Sequence, residues 1–210
     1  LGLLGNAVTD MNLELGDVAD VARQSPQLTA LFAQLGNDSR IWLQKATDIE
    51  DSAPFFTAWD TFMARYGARG PSEIDISALR WYEEPLPLLQ VITSYLQQEK
   101  GSHRIQHEKL AAARETAVST LLNQAKHGLF GAIRARLLRR LLHVSHNAGV
   151  MREHHKFLVM QHLRTVKEIV KKTAVDLTNA GKLTHPDDVW FLTWPELLTL
   201  YSENSPDGVA

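Results

Sequence analysis

Residues 51–67 read DSAPFFTAWDTFMARYG, and this stretch decides the fold class. Ser52 stands where a helix N-cap is expected, Pro54 fits the first turn, and Gly67 follows as the expected left-handed stop. Between these residues one apolar stripe recurs at helical spacing and consists of Phe55, Trp59, Phe62, Met63 and Tyr66. The stretch therefore predicts an amphipathic helix with an aromatic face.

Helical signals extend on both sides of this stretch. Residues 25–36, SPQLTALFAQLG, again begin with Ser and Pro and end at Gly, and another helix is expected after residues 83–87, EEPLP. Residues 103–179 contain no proline and keep an apolar period near 3.6 residues. We expect the main interruption of this long segment at residues 145–150 and a weaker one at residues 126–128.

Residues 186–193, PDDVWFLT, are the one stretch with β character, and Thr193 with Glu196 forms a capping box for a last helix. The sequence therefore predicts an all-α fold. We expect residues 1–210 to form a single multi-helix domain with two long helices and a short irregular or β-like segment near 187–193. Because the chain opens on Leu1 rather than Met, we expect it to be a piece of a longer polypeptide.

Composition limits the function classes. The 210 residues are 44% hydrophobic and carry a net charge of −2, whereas nucleic-acid binders usually carry a strong basic excess. No cysteine is present, which excludes disulfides, thiol nucleophiles and cysteine metal sites, and is typical of a cytoplasmic protein. No apolar run approaches the ~20 residues that cross a bilayer. We expect no nucleic-acid or membrane partner.

Nine histidines invite a metal hypothesis. His103 and His107 are spaced i,i+4, and His143 and His146 are spaced i,i+3. A zinc site needs three or four converging ligands, and no glutamate stands between the first pair to act as a general base. A solvated helix face explains these pairs better, and we expect no metal site.

Arginines mark the segment AIRARLLRRLLH, residues 132–143. On a helical wheel, the polar side opposite the apolar stripe carries Arg136, Arg139, Arg140 and His143. This side is interpreted as a solvated face or as a contact with another domain. Arg134 instead falls inside the apolar arc, where a charge needs a partner, and an acidic residue in the interior is expected.

A polar loop follows the aromatic helix in residues 66–77, YGARGPSEIDIS. The Gly-Pro pair at 70–71 forces a turn, and the alternating pattern places Glu73 and Asp75 on the same side of an extended segment. Arg69 can bridge either carboxylate. Two interpretations stay open: a salt-bridged corner between helices, or a rigid polar rim beside a substrate cavity.

Residues 66–92, YGARGPSEIDISALRWYEEPLPLLQVI, resemble a segment of rifampin phosphotransferases that reads Tyr-Gly-His-Arg-Gly-Pro-x-Glu-Ile-Asp-Ile-Ser and, further on, Arg-Trp-x-Glu-Asp-Pro-x-Pro-Leu-Leu. Those enzymes are similar to phosphoenolpyruvate synthase and belong to the PEP-utilising group. Three more segments resemble the family in the same order, namely residues 5–23, 151–170 and 180–198. Ala68 stands where the family usually has His.

The resemblance implies a parent enzyme with an ATP-grasp domain, a helical middle domain that binds rifamycin, and a swivelling domain with a phosphohistidine. That histidine carries a phosphoryl group from ATP to a hydroxyl on the ansa bridge of the antibiotic. This chain would be the middle domain, and ATP and Mg would bind to the parent chain. The sequence has no glycine-rich ATP-grasp loop and no Thr-x-Gly-Gly-x-x-Ser-His motif, so we expect no catalytic residue and no cofactor here.

The resemblance also indicates where a rifamycin-like hydrophobic molecule would bind. The expected cavity walls are Met11, Tyr66, Gly67, Ala68 and Gly70, and the expected loop ion network is Arg69, Glu73 and Asp75. Arg152 and Lys156, one turn apart, could face the incoming phosphohistidine. Two alternatives stay open: the same domain with another hydrophobic acceptor, and a helical scaffold that holds the mobile ATP-grasp and phosphohistidine domains apart.

Overall fold

The computed structural model describes residues 5–204, with side chains through residue 202, and its regular structure there is entirely helical. In chain order the helices are α1 (Ala7–Ala22), α2 (Pro26–Phe32), α3 (Ser39–Thr47), α4 (Ala53–Tyr66), α5 (Leu86–Leu96), α6 (Ser102–Ala125), α7 (Gly131–Asn179), a 3₁₀-helix (Pro186–Phe191) and α8 (Trp194–Asn204). The prediction of an all-α fold with two long helices is confirmed. The segment expected to be irregular or β-like forms the 3₁₀-helix, after which Leu192 is extended.

The described residues divide into two compact units. The first unit contains residues 5–70 and 80–158, and the second contains residues 71–79 and 159–204. Within the part of the chain that the structure describes, no helix is long and apolar enough to cross a membrane.

Side chains cap the first helices of the chain. The Asn6 Oδ1 accepts hydrogen bonds from the backbone N–H groups of Val8 and Thr9 at the start of α1. Ser25 Oγ accepts one from Leu28 N at 3.1 Å and begins α2, as its position in the sequence predicts. Ser52, in contrast, makes no side-chain capping bond at the start of α4. Of the two expected start signals, Ser52 and Pro54, only Pro54 therefore acts at the first turn of α4.

Aromatic rings form the core of the first unit. Phe55 lies at their centre, with ring centroids 5.7 Å from Phe32, 6.3 Å from Trp42 and 6.0 Å from Trp59. Aliphatic side chains of α1 and α5 complete this core, and they include Leu15, Val18, Leu88, Leu89 and Ile92. The aromatic stripe of α4 is thus buried, as its helical spacing predicts.

Of the two interruptions expected in the long helical segment, the weaker one at residues 126–128 is present, whereas the main one expected at residues 145–150 is absent. The break lies at residues 126–130, where Gly128 has a φ of 86°, and α7 continues without interruption through Asn147 and Gly149. A glycine inside a helix costs only about 1 kcal/mol relative to alanine, and neighbouring turns absorb that cost. A left-handed residue, in contrast, reverses the chain, and Gly128 supplies it.

The apolar stripe at the start of α7 is exposed. Ile133, Leu137 and Leu141 retain 67%, 60% and 57% of their accessible surface. Arg134 is also exposed, and its Nη2 donates to the backbone oxygen of His127. The expectation that Arg134 meets an acidic residue in the interior is wrong, because periodicity shows which residues share a helix face but not what covers that face.

A buried lysine organises the second unit. Lys167 is 1% exposed, and its Nζ donates to the backbone oxygens of Ala78 at 2.8 Å and Ser77 at 3.4 Å. The same ammonium lies 5.8 Å from the ring centroid of Trp190. A small apolar core packs beside it and consists of Val170, Ala174, Leu177, Val189 and Leu197. Lys167 therefore joins residues 77–78 to α7 through main-chain atoms, whatever side chains those two residues carry.

We expect Phe55→Ala to lower the free energy of unfolding by about 3–5 kcal/mol, because it removes a fully buried ring that contacts the rings on either side. Urea denaturation of the two proteins measures this difference. Phe191→Ala is the matched control, since Phe191 is 87% exposed, and its effect should stay within about 0.5 kcal/mol. Equal losses for the two variants would contradict the placement of Phe55 at the centre of the core.

Candidate ligand-binding site

The end of α4 is set by a close approach rather than by a left-handed residue. Gly67 has a φ of −59°, so the expected positive φ at this position is wrong. A Cβ added to Gly67 would lie 2.5 Å from the backbone oxygen of Met63 and 3.3 Å from Tyr82 Cβ. Gly67 is thus required because the chain after α4 folds tightly against its own last turn and against residue 82.

Backbone hydrogen bonds hold residues 67–70 in place. Trp81 N donates to Arg69 O at 2.8 Å, and Tyr82 N donates to Gly67 O at 3.0 Å. Arg80 N donates to Glu83 Oε2 at 2.9 Å and thereby closes the turn that leads into α5. The Tyr-Gly-Ala-Arg-Gly segment is therefore fixed by main-chain bonds to a second motif of the resemblance, Arg-Trp-Tyr-Glu-Glu.

In the second unit, residues 71–79 form a compact turn. The Asp75 carboxylate accepts hydrogen bonds from Ser77 N at 2.9 Å and from Ser77 Oγ at 2.7 Å. Asp75 N donates to Ser72 O at 3.1 Å. Local polar groups, together with Lys167, therefore determine the conformation of the Ser-Glu-Ile-Asp-Ile-Ser segment.

A cavity of about 270 Å³ lies in the first unit beside the last turn of α4. Its lining comes from the chain around the start of α1, the end of α4 and the middle of α7: Gly5, Ala7, Asp10, Arg65, Tyr66, His154, Phe157 and Leu158. The rings of Tyr66 and Phe157 meet edge to face, with centroids 5.8 Å apart. Aromatic and aliphatic walls with a few polar groups are the usual form of a site for a hydrophobic ligand.

Two polar groups of this cavity, on Arg65 and Tyr66, share one carboxylate as their partner. Glu14 Oε1 accepts hydrogen bonds from the Tyr66 hydroxyl at 3.0 Å and from Arg65 Nη1. Burial raises the pKa of the Tyr66 phenol well above its ordinary value, and the hydrogen bond to the Glu14 carboxylate raises it further. At neutral pH the phenol is therefore protonated, and its hydroxyl donates the hydrogen bond to Glu14. His154 Nε2 lies 2.8 Å from the backbone oxygen of Gly5.

The structure places the expected wall residues close together but gives them different environments. Tyr66 lines the cavity, whereas Gly67, Ala68 and Gly70 are buried behind it. Met11 is buried too, and its sulfur lies 3.6 Å from Arg69 Nη1. That these residues contact a ligand stays a prediction, as does the ion network of Arg69 with Glu73 and Asp75.

Arg152 and Lys156 are exposed on α7, one turn apart as expected. The Arg152 guanidinium pairs with the adjacent Glu153, at 2.8 Å from Nη2 to Oε1. Because successive residues of a helix are rotated by about 100°, Arg152 and Lys156 project from a different side of α7 than His154. Their role toward a phosphoryl group stays a prediction.

Sequence reasoning predicted Tyr66 and missed the other seven lining residues, among them Asp10, Arg65, His154 and Phe157. Two signals could have found them. His154 and Phe157 belong to the Met-Arg-Glu-His-His-Lys-Phe segment of the resemblance, and Arg65 immediately precedes the first residue of the loop motif. Asp10 lies in residues 5–23, another segment of the resemblance, but an acidic residue in the first turn of a helix is common for electrostatic reasons alone.

His103 and His155 each contact a different group of the protein. His103 Nε2 lies 3.0 Å from Asp17 Oδ1, and His155 Nδ1 lies 2.8 Å from the backbone oxygen of Met151. Among the described residues, no group of three or more histidine, aspartate and glutamate side chains is arranged to hold a metal ion.

Comparison with curated proteins gives consistent relatives. The chain is 27% identical to the rifampicin phosphotransferase of Bacillus subtilis (strain 168) over 195 residues, which is 91% of this chain and 22% of that protein. It is 28% identical to the rifampicin phosphotransferase of Streptomyces sviceus over 193 residues, again 91% of this chain and 22% of the relative. The chain thus spans about a fifth of the length of these relatives.

A relative with a different name matches a shorter segment. The prodigiosin-synthesising transferase PigC of Serratia marcescens is 30% identical over 110 residues, which is 49% of this chain and 12% of that protein.

The all-α fold and these relatives define the chain as a domain of the phosphotransferase class. The family model of the rifampicin phosphotransferase fourth domain matches residues 1–153, and the chain belongs to that family. The resemblance seen in the sequence motifs is therefore confirmed.

We expect Gly67→Ala to lower the free energy of unfolding by about 1–3 kcal/mol, because the new methyl group would meet the backbone oxygen of Met63, which cannot move aside cheaply. Gly36→Ala is the control, since a Cβ at Gly36 meets nothing within 4 Å and should leave stability unchanged or slightly higher. Guanidinium denaturation compares the variants. A neutral Gly67→Ala would show that the close approach is not required.

The Tyr66 phenol should make stability fall at alkaline pH. Its pKa is raised in the folded protein, so its contribution is fully present below the unfolded value of about 10 and is lost as the pH rises toward the raised folded value. Tyr66→Phe should therefore flatten the alkaline decline, while it costs about 1–2 kcal/mol at neutral pH through the lost bond to Glu14. Urea titrations between neutral and alkaline pH measure both effects.

Tyr201→Phe serves as the control for this pH series, because Tyr201 is exposed. It should leave the alkaline decline of the parent protein unchanged. Identical pH profiles for Tyr66→Phe and Tyr201→Phe would contradict the raised pKa of Tyr66.

Proposed function

We propose that this chain is the acceptor-binding part of a phosphotransferase that inactivates rifamycin antibiotics by phosphorylating a hydroxyl of the ansa bridge. The observation that carries the proposal is the cavity of about 270 Å³ at the end of α4, which adjoins the segment most similar to rifampin phosphotransferases. Family membership supports the enzyme class, since the relatives that match most of the chain are named rifampicin phosphotransferases.

The lining of the cavity suits an apolar portion of an acceptor that carries a few hydroxyl groups. Tyr66, Phe157 and Leu158 offer apolar surface, whose burial contributes about 25 cal/mol per Å² before the costs of association. Arg65 and Asp10 add one donor and one acceptor group at the same cavity. Such groups orient a ligand and discriminate its hydroxyl pattern, whereas the apolar walls supply most of the affinity.

The chemistry of phosphoryl transfer would belong to other domains of the parent chain. ATP and Mg²⁺ would bind to an ATP-grasp domain, and a phosphohistidine domain would carry the phosphoryl group to the acceptor. None of the nine histidines in this chain stands in a Thr-x-Gly-Gly-x-x-Ser-His context. This chain would hold the acceptor, orient its hydroxyl and shield it from water.

A second candidate is the same role with another hydrophobic acceptor. Ala68 replaces the histidine of the family motif and removes a polar group from the buried segment behind the cavity. A transferase named for prodigiosin synthesis also matches about half of the chain. Both observations favour an acceptor other than rifamycin.

Rifampin binding to this chain tests the proposal directly. Tryptophan fluorescence, corrected for absorbance by the drug, and calorimetry should show saturable binding at one site. We expect His154→Ala to weaken binding about tenfold, since a well-placed hydrogen-bonding group in an apolar site contributes about 1.5 kcal/mol. Ala7→Trp should abolish binding, because the indole would fill the cavity that Ala7 lines.

His155→Ala is the matched control, because His155 is the adjacent residue but does not line the cavity. It should bind rifampin like the parent protein. Binding that is insensitive to Ala7→Trp would contradict the cavity as the site. If rifampin does not bind, but another hydrophobic molecule binds and Ala7→Trp abolishes that binding, the second candidate is correct. If no such molecule binds, the chain is a scaffold.

A further inference from the structure

A second concavity of the first unit lies between α6 and α7. The two helices run as a hairpin joined by residues 126–130, and a groove of about 360 Å³ separates their facing sides. Residues spaced three or four apart line it from each helix, with Arg114, Val118 and Leu122 from α6 and Arg139 and Leu142 from α7. None of these residues lines the cavity at the end of α4.

The groove has an apolar floor and a cationic rim. Val118, Leu122 and Leu142 are half-buried and form the floor. The rim carries Arg114, Arg139, His143 and His146, opposed by the single carboxylate of Glu115. Both arginines keep their charge at any physiological pH, so the rim has a permanent positive excess.

Two side chains of this rim, Arg114 and His146, contact each other. Arg114 Nη2 lies 3.2 Å from His146 Nδ1. A guanidinium can only donate hydrogen bonds, so the Arg114 side chain acts as the donor wherever it meets an acceptor. The guanidinium therefore sits at the groove with its other N–H groups available for an acceptor, and a planar fork of such donors matches a carboxylate, sulfonate or phosphate.

The local charge of this segment contrasts with that of the whole chain. From residue 126 to residue 152 the sequence contains no aspartate or glutamate, whereas its basic residues are Lys126, Arg134, Arg136, Arg139, Arg140 and Arg152. The complete chain carries a net charge of −2. A positive segment on a slightly acidic protein raises the local concentration of anions beside the groove.

We propose that the groove between α6 and α7 is a binding site for a small amphipathic anion, a molecule with one acidic head group and an apolar body. The head group would lie at Arg139 and Arg114, and the body would lie over Val118, Leu122 and Leu142. A groove of this volume takes a drug-sized or lipid-sized molecule and not a folded partner. The site is independent of the acceptor cavity proposed above.

Two related fluorescent probes test this site. The first is 8-anilinonaphthalene-1-sulfonate, which combines an aromatic body with a sulfonate. The second is N-phenyl-1-naphthylamine, which has the same body and no charge. At about 0.15 M salt, where charges are screened beyond about 8 Å, we expect the sulfonate to bind the parent protein at one site. Arg139→Gln should weaken that binding about tenfold, through loss of a charge-assisted contact.

Arg136→Gln is the matched control, since Arg136 is an exposed arginine of the same helix that does not line the groove. It should change the affinity for the sulfonate by less than about twofold. The neutral probe should be insensitive to both substitutions. Equal losses for Arg136→Gln and Arg139→Gln would mean that general charge attracts the probe, and the proposed site would be wrong.

Histidine resonances locate the probe without a substitution. In ¹H–¹⁵N spectra of the imidazole groups, saturation with the sulfonate should shift the signals of His143 and His146, which line the groove. The signals of His103 and His185, which do not line it, should stay in place. Binding with no change at His143 and His146 would overturn the proposal even if the arginine variants behaved as expected.

Discussion

A row of aromatic rings along α4 is the interaction on which the first unit depends. From Phe55 the contacts pass to Trp59 at 6.0 Å, then to Phe62 at 6.5 Å and to Tyr66 at 5.0 Å between ring centroids. Each ring buries a large apolar surface, and stacked or tilted contacts between rings add a further stabilisation of about 0.5–1.5 kcal/mol. The row ends at Tyr66, whose ring meets Phe157 of α7 and forms part of the candidate cavity. The position of the site is therefore fixed by the packing of the core, because the last ring of the core is also a wall of the cavity.

Patterns within one helix were readable from the sequence, whereas relations between helices were not. The aromatic period of residues 55–66 predicted α4 and its buried face. One half of the Thr193–Glu196 capping box appears, with Glu196 Oε2 accepting hydrogen bonds from Thr193 N at 2.7 Å and from the Thr193 hydroxyl at 2.8 Å. The same periodicity did not show that the Ile133 stripe is exposed, since no local signal reports what packs on a face. The main break was expected at residues 145–150 and only a weaker one at residues 126–128, where the chain does break, because a glycine such as Gly149 is compatible with a helix when the flanking turns continue.

The candidate site, too, was only partly predictable from the sequence. Tyr66 was expected at the site from its motif, and it does line the cavity. Gly67 was assigned a left-handed conformation, but the structure uses its missing side chain for a close approach to Met63 O and Tyr82. That requirement arises from residues 80–82, which return to pair with residues 67–69. A glycine in a sequence indicates that a side chain is not tolerated, and only the tertiary structure shows whether the backbone or a neighbour is the reason.

The two concavities of the first unit differ in how their charges are balanced. At the acceptor cavity, the Arg65 guanidinium is neutralised by Glu14, and the Tyr66 hydroxyl is committed to the same carboxylate. A ligand there also meets the carboxylate of Asp10, so the cavity offers no positive excess to an anionic ligand. In the groove between α6 and α7, Arg114 and Arg139 are opposed by Glu115 alone, so a charged head group gains and a neutral molecule does not. The two proposals therefore assign neutral apolar acceptors and amphipathic anions to different places on one unit, according to how three arginines are paired.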